Sequence, residues 1–181
     1  MLRKTIGLLC IFAVISCGTS KKRTYSKTRT VTVEGSSEET NLTPTISKKE
    51  RKKNQKAKDV VATALTFSGT RYKFGGTTRK GMDCSGLVYV SLKEHEIVFP
   101  RTSYQMAEEG KRIKVGQVQK GDLLFFKTSK SGKRINHVGL VVDVKGDDIK
   151  FIHSTTSRGV IVSSLREGFW NYSFVKATRI L

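Results

Sequence analysis

Apolar residues recur along this chain in three rhythms, and each rhythm predicts a different kind of segment. From Ile6 to Ile15 the run IGLLCIFAVI is nearly continuous, whereas from Gly18 to Lys58 apolar residues almost vanish among Ser, Thr, Lys and Arg. The helical period follows. Val60, Val61, Ala64, Leu65 and Ser68 fall at i, i+1, i+4, i+5 and i+8, predicting an amphipathic helix within 59-DVVATALTFSG-69 that Gly69 ends. After the loop RYKFGGTTRKG, residues Cys84, Leu87, Val88, Ser91, Leu92 and His95 mark one stripe. A second helix is therefore expected from about Cys84 to Glu94, with Asp83 as its N-cap. Thr102 and Gln105 have the spacing of a capping box, which predicts a short third helix through about Glu109, with Gly110 past its end.

Beyond Gly110 the period shortens. The segments DLLFFKT, HVGLVVDV, IKFIHST, GVIVSSL and YSFVKATRIL are short and rich in β-branched and aromatic residues, with polar or glycine clusters between them. Helices first and strands afterwards predict an α+β domain, with helices packed on an antiparallel sheet of five to six strands. The second and third of these strands should form a hairpin, in which opposed residues share a face. A two-residue Gly146-Asp147 turn would pair Val144 with Ile149 and send His137 and His153 to opposite faces. A three-residue Lys145-Gly146-Asp147 loop would pair Val144 with Asp148 and make the two histidines diagonal neighbours on one face. The three-residue loop is the expectation.

The chain ends change the picture of where this domain works. Arg3 and Lys4 precede an apolar run too short to span a bilayer, the form of an export signal. The tetrapeptide VISC, Val14 to Cys17, resembles the cleavage box of bacterial lipoproteins, which implies a signal over 1–16, lipid on Cys17 and a membrane anchor, in the outer rather than the inner membrane. Residues after it cannot repay the entropy of ordering, so 17–56 reads as a basic tether, with the run Lys48–Lys58 either a solvated helix start or the tether's end; a flexible coil of that length reaches roughly 35 Å. The expected domain is 57–181. Net charge is +19, and 12 basic against 4 acidic residues fall within Gly18–Lys58. Nucleic acid is excluded as a partner by the exported address and by the lack of aromatic residues interleaved with the basic ones.

Of three cysteines, Cys10 leaves with the signal and Cys17 takes the lipid, leaving Cys84 alone in an oxidising compartment. At a helix N-terminus its sulfur meets unsatisfied N–H groups and the positive end of the macrodipole, which favour a thiolate, while Asp83 opposes this. Such a nucleophile needs a base. His95 lies about 16 Å further along the same helix and is structural. His137 is the candidate base and His153 the group that orients its ring. Zinc held by Cys84, His137 and His153 lacks a CxxC or HExxH spacing, so neither metal nor cofactor is expected.

In order, YKFGG, MDCSGLV, PRTSYQM, KGDLLFF, NHVGLVV and FIHST resemble the NlpC family of papain-like cysteine peptidases, over about Ala57 to Leu181. The resemblance implies a papain-like fold with Cys84 as nucleophile, His137 as base and His153 as third polar residue. Tyr72 would line the cleft, with Asp83 and Ser85 contacting the substrate. It further implies hydrolysis of peptidoglycan stem peptides between γ-D-glutamyl and a diamino acid, through a thioester. A monomer is expected. Phe74 stands where many relatives have Trp, and Ser154 where Ala is common. Rival readings are an amidase for another envelope amide and a wall-binding lipoprotein without activity.

Overall fold

The computed structural model describes residues 47–129, 131–132 and 134–181; the expected signal, Cys17 and the tether up to residue 46 lie outside the described residues. Helix α1 spans Lys48–Leu65 and begins upstream of the domain start expected at 57. Its first turns are exposed and rest on local terms alone. Lys, Arg, Gln and Ala are good helix formers, and the Ser47 hydroxyl accepts from the Glu50 N–H at 3.2 Å. Of the two readings of Lys48–Lys58, the solvated helix start is the one found. Burial starts at Ala57 and continues through Val60, Val61 and Ala64.

The loop expected next contains a small hairpin, β1 (Thr77–Thr78) and β2 (Gly81–Met82). Helix α2 follows at Cys84–Lys93, capped by Asp83 and buried along Leu87, Val88, Ser91 and Leu92. His95, just past its end, lies 2.9 Å through Nε2 from the Thr63 hydroxyl, tying α2 to α1 as a structural histidine would. Helix α3 is one turn, Ser103–Met106, and stops short of Glu109. The Thr102 hydroxyl donates to the Gln105 side chain at 2.6 Å and caps no backbone group, so the expected capping box does not form.

Strands β3 (Lys111–Ile113), β4 (Leu123–Phe126), β5 (His137–Lys145), β6 (Asp148–Thr155), β7 (Gly159–Ser164) and β8 (Phe174–Arg179) make one sheet, ordered β3-β8-β4-β5-β6-β7 with all neighbours antiparallel. The fold is α+β, as its sequence order required. β4 is buried on both faces. Leu123 and Phe125 pack with Val138, Leu140 and Val142 under α1 and α2. Leu124 and Phe126 pack on the other side with Val141, Phe151 and Trp170. Trp170 belongs to a helix absent from the sequence expectation, α4 (Gly168–Ser173), which displaces the start of β8 from Tyr172 to Phe174.

The β5–β6 hairpin corrects the expected register. Val144 pairs with Ile149 and Lys145 with Asp148, so the turn is the two-residue Gly146-Asp147 and not the three-residue loop. That register alone would separate the histidines. Between Val141 and Asp143, however, the ladder shifts, and beyond it Val141 pairs with Phe151 and Leu140 with Ile152. A β-bulge sets two residues against one, which reverses the facing of everything past it. His137 and His153 thereby share a face although the turn is short.

Candidate active site

The site is assembled from the start of α2 outward. The Asp83 carboxylate accepts from the Gly86 N–H at 2.6 Å, the Gly75 N–H at 2.7 Å, both Arg101 amino groups at 3.0 Å and the Ser85 hydroxyl at 3.4 Å. One buried carboxylate thus fixes the helix start, the glycine loop before it and an arginine from 18 residues on. Arg101 also donates to the Ser85 hydroxyl at 2.8 Å. At Gly86 a Cβ would overlap the Gly76 carbonyl, so the absence of a side chain there lets the glycine loop pack against the helix start. On the far side, the Ser154 hydroxyl donates to the Met82 carbonyl at 2.8 Å, pinning β6 to the residue before Asp83.

Cys84 sits at this fixed helix start, 9% exposed. The backbone N–H groups of Val138, the residue after His137, of Ser85 and of Cys84 itself act on its sulfur and favour the thiolate. The paired ladder of β5 and β6 ends at Leu140 and Ile152, which leaves the strand start free to meet α2. Cys84 and His137 line one cavity of about 490 Å³ with Tyr72, Ser154 and Trp170. His137 Nε2 and His153 Nδ1 lie 2.9 Å apart in a buried hydrogen bond, with the two rings nearly perpendicular at 89°. Nδ1 is then the nitrogen of His137 not engaged by His153.

Trp170 holds this pair from the side. Its ring stacks on His137 at 5.1 Å and 23° and meets His153 edge-on at 4.4 Å. His153 is fully buried, and its Nε2 has no hydrogen-bond partner among the described residues. Gly139 makes room for the Phe151 ring, which a Cβ there would overlap. That ring lies 4.7 Å from His153.

Burial dominates the proton equilibria. It pushes the Cys84 thiol above its usual range, an effect that Asp83 reinforces and the three N–H groups oppose. Burial also lowers His137 to about 4. His153 falls to about 3 through burial, then through His137 and the Arg158 cation. The resting pair is a neutral thiol and a neutral imidazole, in contrast to the thiolate that the helix terminus alone favours. Tyr72 is raised by burial and then by Cys84 and Asp83, so its phenol stays a donor in the cleft.

Every catalytic and substrate-binding residue expected from the sequence lies in this region: Cys84, Asp83, Ser85 and Tyr72 from the α2 side, His137 and His153 from the sheet. Among the described residues no cluster of three His, Cys, Asp or Glu is arranged to hold a metal. Sequence reasoning gave no role to Arg101 or Trp170 and noted Ser154 only as a departure from the family pattern. For Trp170 one signal was present, since it is the only tryptophan in the chain.

Comparison with known proteins places this geometry. The NlpC/P60 family profile matches residues 69–179. The murein DD-endopeptidase/murein LD-carboxypeptidase MepS of Escherichia coli is 32% identical over 97% of this chain and 89% of its own length. The probable endopeptidase NlpC of the same organism is 41% identical over 64% of this chain and 72% of its own. A crystal structure of an NlpC/P60 family protein from Bacillus cereus superposes with a TM-score of 0.62 at 30% identity, covering 68% of this chain and 39% of that one. With a cysteine at a capped helix start beside a bonded pair of imidazoles, on a frame shared with these proteins, the chain belongs to the NlpC/P60 family of papain-like cysteine peptidases.

Proposed function

We propose that this peptidase hydrolyses peptidoglycan stem peptides at the amide between γ-D-glutamyl and a diamino acid, with Cys84, His137 and His153 as its catalytic residues. The observation that carries the reading is the 2.9 Å His137–His153 bond beside the thiol of Cys84. For Nδ1 of His137 to accept a proton, its Nε2 must carry one and donate it to His153 Nδ1, so His153 fixes both tautomer and ring orientation. The thiol proton passes to His137 Nδ1 as Sγ attacks the carbonyl carbon. Backbone N–H groups at the α2 start and the Tyr72 phenol face the oxyanion. His137 then protonates the departing amine, leaving a thioester on Cys84. Water attacks that thioester, giving one proton to His137 and so back to sulfur, and the acyl fragment leaves as a carboxylic acid. Asp83 and Arg101 hold Ser85 and the acyl-side cleft in place, where the stem peptide would bind.

A second reading of the bond rests on a relative's name, since the Escherichia coli protein aligned over nearly the whole chain is called a DD-endopeptidase. Mass spectrometry of muropeptides released from purified peptidoglycan decides between them. Products ending in free γ-D-glutamate support the first bond, and opened D,D cross-links with intact stems support the second. No release by the wild-type chain, or equal release by Cys84→Ala, refutes both. The lipoprotein-like VISC box supports a lipid anchor at Cys17 and a place in the cell envelope, for which the outer membrane is the proposed side. The enzyme would act there as a monomer, and nucleic acid is not a partner in this reading.

A further inference from the structure

Two cavities meet at Tyr72 and Cys84, and only one contains His137. The cavity without it is lined by Asp83, Ser85, Arg101 and Ser103. The other holds His137 and Trp170 and carries two opposite charges, Arg158 and Glu167. Chemistry orients the substrate across this pair. The base that took the thiol proton must deliver it to the departing amine, so the leaving group lies on the His137 side and the acyl group on the other.

We infer that Arg158 and Glu167 form the binding site for the leaving diamino acid, Glu167 receiving its side-chain ammonium and Arg158 a carboxylate beside that ammonium. Resting on the function proposed above, this deepens it by naming the substrate class, a diamino acid bearing a second carboxylate such as meso-2,6-diaminopimelate, in preference to lysine. Both side chains are exposed. Arg158 has no ion pair or side-chain hydrogen bond among the described residues; only its backbone N–H is engaged, donating to the Thr155 hydroxyl at 3.1 Å. Glu167 accepts from the Ser164 N–H through Oε1 at 2.9 Å, which steadies the carboxylate and leaves Oε2 for a ligand. Around Arg158, Thr155, Thr156 and Ser157 give the wall further hydroxyl groups, and Phe169 stands over the mouth, 58% exposed. A guanidinium is suited to a carboxylate, and a site built to pair a charged group discriminates against an analogue that lacks it.

The test compares kcat/KM of the purified full chain on two synthetic stem peptides that differ only in carrying meso-2,6-diaminopimelate or L-lysine at the third position. Wild type should prefer the diaminopimelate peptide by about tenfold or more. Arg158→Gln should bring that ratio close to one. Glu167→Gln keeps the Oε1 acceptor and should lower both substrates in parallel, since both carry the ammonium. A wild-type ratio near one, or an Arg158→Gln variant that loses both substrates equally, overturns the inference while leaving the proposed hydrolysis standing. Cleavage of neither peptide by wild type overturns the proposed function, and this assignment falls with it.

Discussion

A buried, neutral imidazole titrates far from where an exposed one does, and this sets the behaviour expected of His137. With His137 lowered to about 4 and the Cys84 thiol raised, the proposed mechanism needs the neutral imidazole and the protonated thiol together. The acid limb of kcat/KM should therefore fall well below the ordinary imidazole range, near 4, and the alkaline limb above the ordinary thiol range. A pH profile on a peptide substrate checks this, and an acid limb at an unshifted histidine value would contradict it. The same shifts act on stability. Both histidines resist protonation in the fold but not in the unfolded chain, so stability is complete above about pH 6.5 and declines as pH falls towards about 4 and then 3. Thermal melts between pH 7 and 4 measure that loss. Trp170 is the side chain that keeps the pair dry. Its replacement by Ala should cost about 3–5 kcal/mol and most of the activity, and raise the acid limb as water reaches the rings. Trp170→Phe should keep more of all three, read by denaturant melts and the pH profile together.

At the level of elements, the site depends on β5 being irregular. The alternation of HVGLVVDV was legible as far as Val142, with Val138, Leu140 and Val142 on one face; Val144, past the bulge, packs with Val141 instead, and the meeting of the histidines rested on the turn. The turn length was not legible, because Gly146 suits a two-residue or a three-residue connection equally well. The bulge at Val142 was not either, since it is held by packing on both faces of the sheet and leaves no mark in the alternation. Helix α4 was hidden for a related reason. GFWNYS has the aromatic content of a strand, and it is helical because that conformation seats Trp170 against Phe126, Phe151 and the histidines. Gly139 offers a test of this packing. Gly139→Ala would force the Phe151 ring against its neighbours, costing about 1–3 kcal/mol by overpacking and lowering activity through His153. Gly168→Ala, where an added Cβ meets nothing within 4 Å, is the control and should leave denaturant midpoints nearly unchanged.

For the whole molecule, the order of motifs was more informative than any single pair of residues. Cys84 lies 53 residues before His137 in a chain that is helical first and stranded later, so their meeting was a matter of topology that spacing could not supply. The family resemblance supplied it, and the sheet order shows how: β5 lies inside the sheet, with its first residues beside the start of α2. Placement at a membrane is a separate proposal. Cys17→Ala should release the chain from the membrane fraction of fractionated envelopes while leaving kcat/KM of the purified protein unaltered. The central claim is covalent chemistry at one sulfur, and trapping it is the most direct measurement. A stem-peptide substrate is mixed with the enzyme, quenched in acid within the first turnover and mapped by mass spectrometry. The account predicts an acyl mass on the peptide containing Cys84, discharged by hydroxylamine and absent from Cys84→Ala. Turnover by wild type with no adduct at Cys84, and undiminished cleavage by Cys84→Ala, would contradict it.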